Sequence, residues 1–172
     1  MKKIILITAF FLTSIGLANA QRLKVNSTVQ AKRGKYKIDM LADGKMIVSN
    51  TNSVYGHHVP KVKNTDFQIE TATPQGLYKA FKEVFKDERL KELTTEPNIA
   101  IEIFVSTKGK VEYINFIVKT NTLITAEELE GLEDAIKRNV SYKIKSDQST
   151  DFEAFPLVKN VLFSNVLKGP RI

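Results

Sequence analysis

Residues 99–144 read IAIEIFVSTKGKVEYINFIVKTNTLITAEELEGLEDAIKRNVSYKI, and their grammar decides the fold. Ile99, Ile101, Ile103 and Val105 share one face of a strand, with Glu102 on the other. Lys108-Gly109 closes a tight turn, and Val111 to Val118 returns with Ile114, Phe116 and Val118 in alternation. Val111 and Tyr113 fall on the opposite parity, so either both faces carry apolar residues or a bulge intervenes. A helix follows with a complete start signal. Thr125 and Glu128 form a capping box, and Ile124 and Leu129 have the spacing of a hydrophobic staple. Leu129, Leu132, Ile136 and Val140 make its apolar stripe. Glu127 and Glu128 lie at the positive end of the helix dipole, Lys137 and Arg138 at the negative end. Tyr142 to Lys145 is then a short strand.

Working outward, a second helix precedes this block. Thr73 is its expected N-cap, Pro74 its first residue, and Leu77, Phe81, Val84 and Phe85 its apolar face, with Leu90 and Leu93 continuing the packing. Glu96-Pro97 ends it. After the polar stretch Ser146 to Asp151, Phe155 to Leu167 reads as a final apolar strand. Towards the N-terminus, Tyr36 to Leu41 and Lys45 to Ser49 flank Asp43-Gly44, a hairpin signal. Asn50 to Asn64 is a polar loop, and Asp66 to Glu70 a short strand. The expectation is an α+β fold: two helices packed on a small, mainly antiparallel sheet, with an N-terminal β-hairpin extension.

The first twenty residues read as a signal peptide. Lys2 and Lys3 precede an apolar run from Ile4 to Leu17, too short to span a bilayer comfortably. Ala18-Asn19-Ala20 supplies the small residues of a cleavage site, placing cleavage before Gln21. No later segment is apolar enough to span a membrane, so the expectation is an exported chain, periplasmic or secreted. With no cysteine, it has neither a disulfide nor a cysteine-linked lipid. Residues 21–172 are long enough for an ordinary hydrophobic core.

The net charge of +7 is unevenly spread. Of the 26 basic residues, eight precede Asp39, leaving 18 to face all 19 acids. Arg22, Lys24, Lys32, Arg33, Lys35 and Lys37 define a basic N-terminal arm over residues 21–35 and just beyond. It reads as a solvated tail or, alternatively, as a binder of anionic envelope surfaces. Nucleic acid is not an expected partner, because the arm lacks aromatic interleaving beyond Tyr36. The remaining division is residues 36–70, hairpin extension and loop, and 71–172, the main α+β domain.

Within that domain, several segments together resemble the C-terminal domain family of TonB. They are the helix Leu77 to Phe85, the strand Ile99 to Val105, Lys108-Gly109-Lys110-Val111, the helix ending Ala135-Ile136-Lys137-Arg138, Tyr142-Lys143, and the strand Leu157 to Val166. The resemblance covers residues 74–166. It implies the fold and a binding role in which an exposed sheet edge pairs with an extended segment of a cell-envelope protein. The analogous edge runs from Val158 to Phe163, with Val158, Asn160, Leu162 and Phe163 as candidate contacts. The segment after the second helix keeps Tyr142 but has neither tryptophan nor the family's proline. A cleavable signal and five scattered prolines replace an anchor and a proline-rich spacer, so energy transduction is not expected.

Chemistry has few places to reside. His57 and His58 are the only histidines, adjacent in a polar loop. They read either as an exposed pair or as the base or metal ligand of a small hydrolase or metal-dependent enzyme, with Asp39 or Asp66 as partners. Glu127, Glu128, Glu130, Glu133 and Asp134 read as the solvated face of their helix. No phosphate-binding glycine spacing and no Gly-x-Ser-x-Gly elbow is present. The expectation is a non-enzymatic interaction module without cofactor or metal.

Overall fold

The computed structural model describes residues 22–52, 67–146 and 154–169. Strands β1 (Ser27–Gln30), β2 (Lys35–Met40) and β3 (Lys45–Asn50) are followed by β4 (Phe67–Thr71). Helices α1 (Gly76–Val84) and α2 (Asp87–Leu93) precede β5 (Ile99–Val105) and β6 (Val111–Lys119). Helix α3 (Ala126–Asn139), β7 (Tyr142–Ser146), β8 (Phe155–Val161) and α4 (Phe163–Lys168) complete the order. Six strands form one sheet in the order β1-β2-β3-β6-β5-β8, every neighbouring pair antiparallel. Strands β4 and β7 form a separate antiparallel pair. The fold is α+β, with four helices among the described residues rather than two.

One face of the large sheet carries the core. Ile101 pairs with Phe116, Phe116 with Val48 and Val48 with Ile38, a fully buried row across four strands. Helix α3 lays Leu129, Leu132 and Ile136 into the same core. Ile69 and Ile144 of the small sheet pack against it. The opposite face is polar along Ser49, Asn115 and Glu102. Ser49 Oγ donates to Asn115 Oδ1 at 2.8 Å, and Asn115 Nδ2 donates to Glu102 Oε2 at 2.6 Å. Both explanations for the parity of Val111 and Tyr113 hold. The β5–β6 register shifts between Phe104 and Val105, and Phe104, Tyr113 and Ala154 form a second apolar cluster on that opposite face.

The hairpin around Asp43-Gly44 is not an appendage. Its second strand, β3, pairs with β6 from Lys45↔Lys119 to Ser49↔Asn115, which makes the hairpin an integral part of the sheet. The reading of residues 21–35 as a solvated arm is also corrected. Ser27–Gln30 pairs with Lys35–Ile38, because Val29, Tyr36 and Ile38 alternate inward and are buried despite the surrounding lysines.

The expected long helix is two helices. Phe85 and Lys86 are extended, at φ −104° and −68° with ψ 113° and 162°. In a continuous helix Leu90, five residues beyond Phe85, would point about 140° away from the Phe81–Phe85 stripe. The break returns both Leu90 and Leu93 to the core, fully buried. Thr73 does not cap α1. Its hydroxyl accepts from the Ser141 N–H at 3.0 Å, and the helix starts at Gly76 behind Gln75.

The capping box of α3 is complete. Glu128 N–H donates to Thr125 Oγ1 at 3.2 Å, and Thr125 N–H donates to Glu128 Oε2 at 2.9 Å. The same carboxylate receives the fork of Arg89, Nε to Oε1 at 2.6 Å and Nη2 to Oε2 at 3.0 Å, so the cap also docks α2. Buried Glu96 ties the start of β5 to the loop before α3, accepting from the Leu123 N–H at 2.9 Å and Thr122 Oγ1 at 3.2 Å. Lys119 Nζ lies 3.3 Å from the same carboxylate.

Candidate functional site

The candidate edge is strand β8. It pairs with β5 from Val105↔Phe155 to Ile99↔Val161, and it is the last strand in the sheet order. Among the described residues no strand pairs with its other side. Pro156 sets the phase of that edge. A proline cannot donate to a ladder, so within a paired strand its nitrogen sits on the outer side. Alternation then turns the main-chain N–H and C=O groups of Val158 and Asn160 outward as well. Val158 is 58% exposed, more than Met40, Leu123 or Leu162. Asn160 Oδ1 accepts from Asn98 Nδ2 at 3.1 Å.

Two of the four expected edge residues do not belong to it. Leu162 is the N-cap of α4, with an exposed side chain, and Phe163 is the first residue of that helix. Phe163 is buried between Phe81 and Phe85. All three ring-centroid separations are 5.8 Å, and the Phe163 ring meets its neighbours edge-on at 63° and 85°. A hydrophobic run reads as a strand to its end. Here the core takes the aromatic side chain and the backbone turns helical to deliver it.

The basic residues do not form one surface. Arg22 bridges to Thr125, and Lys24, Lys32 and Lys35 are exposed. Lys37 pairs with Asp39 at 2.9 Å on β2. Arg33 sits in the β1–β2 turn and pairs with Asp134 of α3, while its own N–H donates to Glu130 Oε1 at 2.8 Å.

That turn leads to a buried polar cluster that overturns the reading of α3's acids as a solvated face. Glu130 and Glu133 are 7% and 3% exposed. Glu130 Oε1 also accepts from the Gly34 N–H. Glu133 Oε2 accepts from Tyr36 Oη at 2.7 Å and Asn50 Nδ2 at 3.0 Å, and Oε1 accepts from Lys137 Nζ at 2.8 Å. The signal was present in the spacing. Glu133 lies one turn from Leu129 and next to Leu132, within the arc that the helix buries. Each carboxylate is met by donors, so the cluster fastens α3 to the β1–β2–β3 corner.

Burial, and after it the neighbouring Glu133 charge, holds the Tyr36 hydroxyl well above the usual phenol range. Burial also raises Tyr113 and Tyr142. The folded chain therefore keeps the Tyr36 proton above pH 10, where the unfolded chain releases it. The associated stability is complete below about pH 10 and declines as pH rises further, by about 1.4 kcal/mol per pH unit for a single tyrosine. Urea unfolding between pH 8 and 11.5 is expected to show this decline, and Tyr36→Phe to lessen its slope, Tyr113 and Tyr142 supplying the remainder. An identical slope in that variant would exclude Tyr36 as its source.

His57, His58 and Asp66 lie outside the described residues. Among the described residues no group of three or more His, Cys, Asp or Glu is placed to hold a metal ion. No helix among them is long and apolar enough to cross a membrane.

The fold has a counterpart among solved structures, a DUF5043 family protein from Bacteroides uniformis. The two superpose with a TM-score of 0.64 over 81% of this chain and 92% of the other, at 12% sequence identity. This likeness shows a shared fold. No family model matches the chain, and no curated protein does.

Proposed function

We propose that the protein is an exported, non-enzymatic interaction module of the cell envelope. It binds an extended segment of a partner protein by adding it as a further strand beside β8. The observation that carries this reading is the seven-residue edge of β8, with outward main-chain groups at Val158 and Asn160 and no partner strand among the described residues. Strand addition draws its affinity from such main-chain groups and its selectivity from alternate side chains. The segment pattern resembling TonB C-terminal domains implies the same mode, and the signal-like residues 1–20 support placement in the envelope.

Asn160→Pro removes an outward N–H and places a ring where the incoming strand would lie, while leaving the β5 ladder intact. A photo-crosslinking residue at Val158, in cells, is expected to capture an extended segment of one envelope protein. Adding Asn160→Pro is expected to reduce that capture at least tenfold, with the unfolding midpoint of the chain preserved. Undiminished capture in a folded Asn160→Pro variant would exclude the edge as the site. Capture of equal yield from Thr28 on β1 would show it to be nonspecific.

A further inference from the structure

Helices α1 and α4 leave an apolar groove of about 200 Å³ at the end of β8. Leu77, Tyr78 and Phe81 line it from α1, Asn165 and Val166 from α4, and Val161 from the strand itself. Val161 pairs with buried Ile99, so its side chain lies on the helix-bearing face of the sheet. Strand alternation places Lys159 on that same face, two residues back. Lys159 is exposed and has no ion-pair partner among the described residues.

We propose that this groove is the specificity pocket of the β8 edge, taking one bulky apolar side chain of the added strand, with Lys159 selecting a carboxylate beside it. The inference rests on the strand-addition reading. An added strand shows every second side chain to the helix-bearing face. The side chain level with Val161 reaches the groove, and the next one on that face stands level with Lys159. The partner segment is therefore an extended peptide in which an apolar residue and an Asp or Glu are separated by one residue. Its apolar side chain leaves water for a lining of leucine, valine and aromatic carbon, and its acid meets the Lys159 ammonium, which has no ion-pair partner among the described residues.

Selection of displayed random nonapeptides on the purified chain tests the pattern. Enrichment of apolar-x-acid or acid-x-apolar sequences is expected. Replacing the apolar residue of a selected peptide with alanine is expected to weaken binding at least tenfold. Asn165→Trp fills the groove from an exposed position on α4. It is expected to weaken the parent peptide to the same degree and to leave the alanine peptide unchanged, with thermal unfolding unaltered. Lys159→Glu substitution is expected to shift the preference from acid to lysine. Peptides that lose binding with Asn160→Pro yet ignore Asn165→Trp would overturn the groove and leave strand addition standing. Peptides that ignore Asn160→Pro would overturn both. Absence of any enriched apolar–acid spacing would overturn the groove alone, because crosslinking at Val158 reports on the edge independently.

Discussion

Phe163→Ala is expected to lower the free energy of unfolding by about 3–5 kcal/mol, the range for truncating a well-packed core aromatic. The residue is 1% exposed and touches Phe81 and Phe85 edge-on. Its removal takes away the buried area and both ring contacts, and it leaves a cavity where α4 meets α1 and α2. The neighbours cannot collapse easily, because Phe81 is held within α1 and Phe85 is tied to its end by an N–H donating to the Phe81 carbonyl at 2.8 Å. Leu162→Ala is the matched control. Leu162 is 45% exposed, so its truncation is expected to change stability by no more than about 0.5 kcal/mol. Urea unfolding monitored by circular dichroism measures both. Equal losses in the two variants would contradict the placement of Phe163 in the core and of Leu162 at the surface.

Gly109→Ala is expected to be comparably severe, at about 2–5 kcal/mol. Gly109 has φ +77°, and a Cβ there would run into the carbonyl of Tyr142. Its carbonyl accepts from the Tyr142 N–H at 2.9 Å, so the β5–β6 turn and the start of β7 are fixed to each other at this residue. Alanine imposes the left-handed strain and pushes the two segments apart. Gly44 separates the two effects. It has φ +80°, and a methyl group added there would meet nothing within 4 Å, so Gly44→Ala is expected to lose only the conformational part, about 1–2 kcal/mol. Equal destabilisation at both glycines would show that the contact with Tyr142 contributes nothing.

These two residues also mark how far local sequence grammar reaches. Turn chemistry at Lys108-Gly109 and Asp43-Gly44, alternation in residues 99–105 and the Thr125–Glu128 box depend on neighbours within a few positions. Each of them is found in the fold. The two-residue break at Phe85-Lys86 depends on where the rest of the core lies. The helical turn at Phe163 depends on a pocket built by residues about eighty positions away. The same holds for residues 22–38, where lysines and arginines dominate the composition while Leu23, Val29, Ala31, Tyr36 and Ile38 are buried. At the candidate site, Val158 and Asn160 lie on the edge read from the sequence, whereas Leu162 and Phe163 fall beyond its end. Glu130 and Glu133 are a mixed case. The spacing of α3 places Glu133 within the arc the helix buries, but the donors that satisfy the two acids, from Gly34, Tyr36 and Asn50, lie 83 to 97 positions away in sequence.

The sheet order also fixes a distance. Strands β1 and β8 are its two margins, five inter-strand steps apart. At about 4.8 Å per step they are separated by about 24 Å. A strand added beside β8 would therefore lie more than about 24 Å from anything paired beside β1, and occupation of one margin would leave the other free of steric conflict.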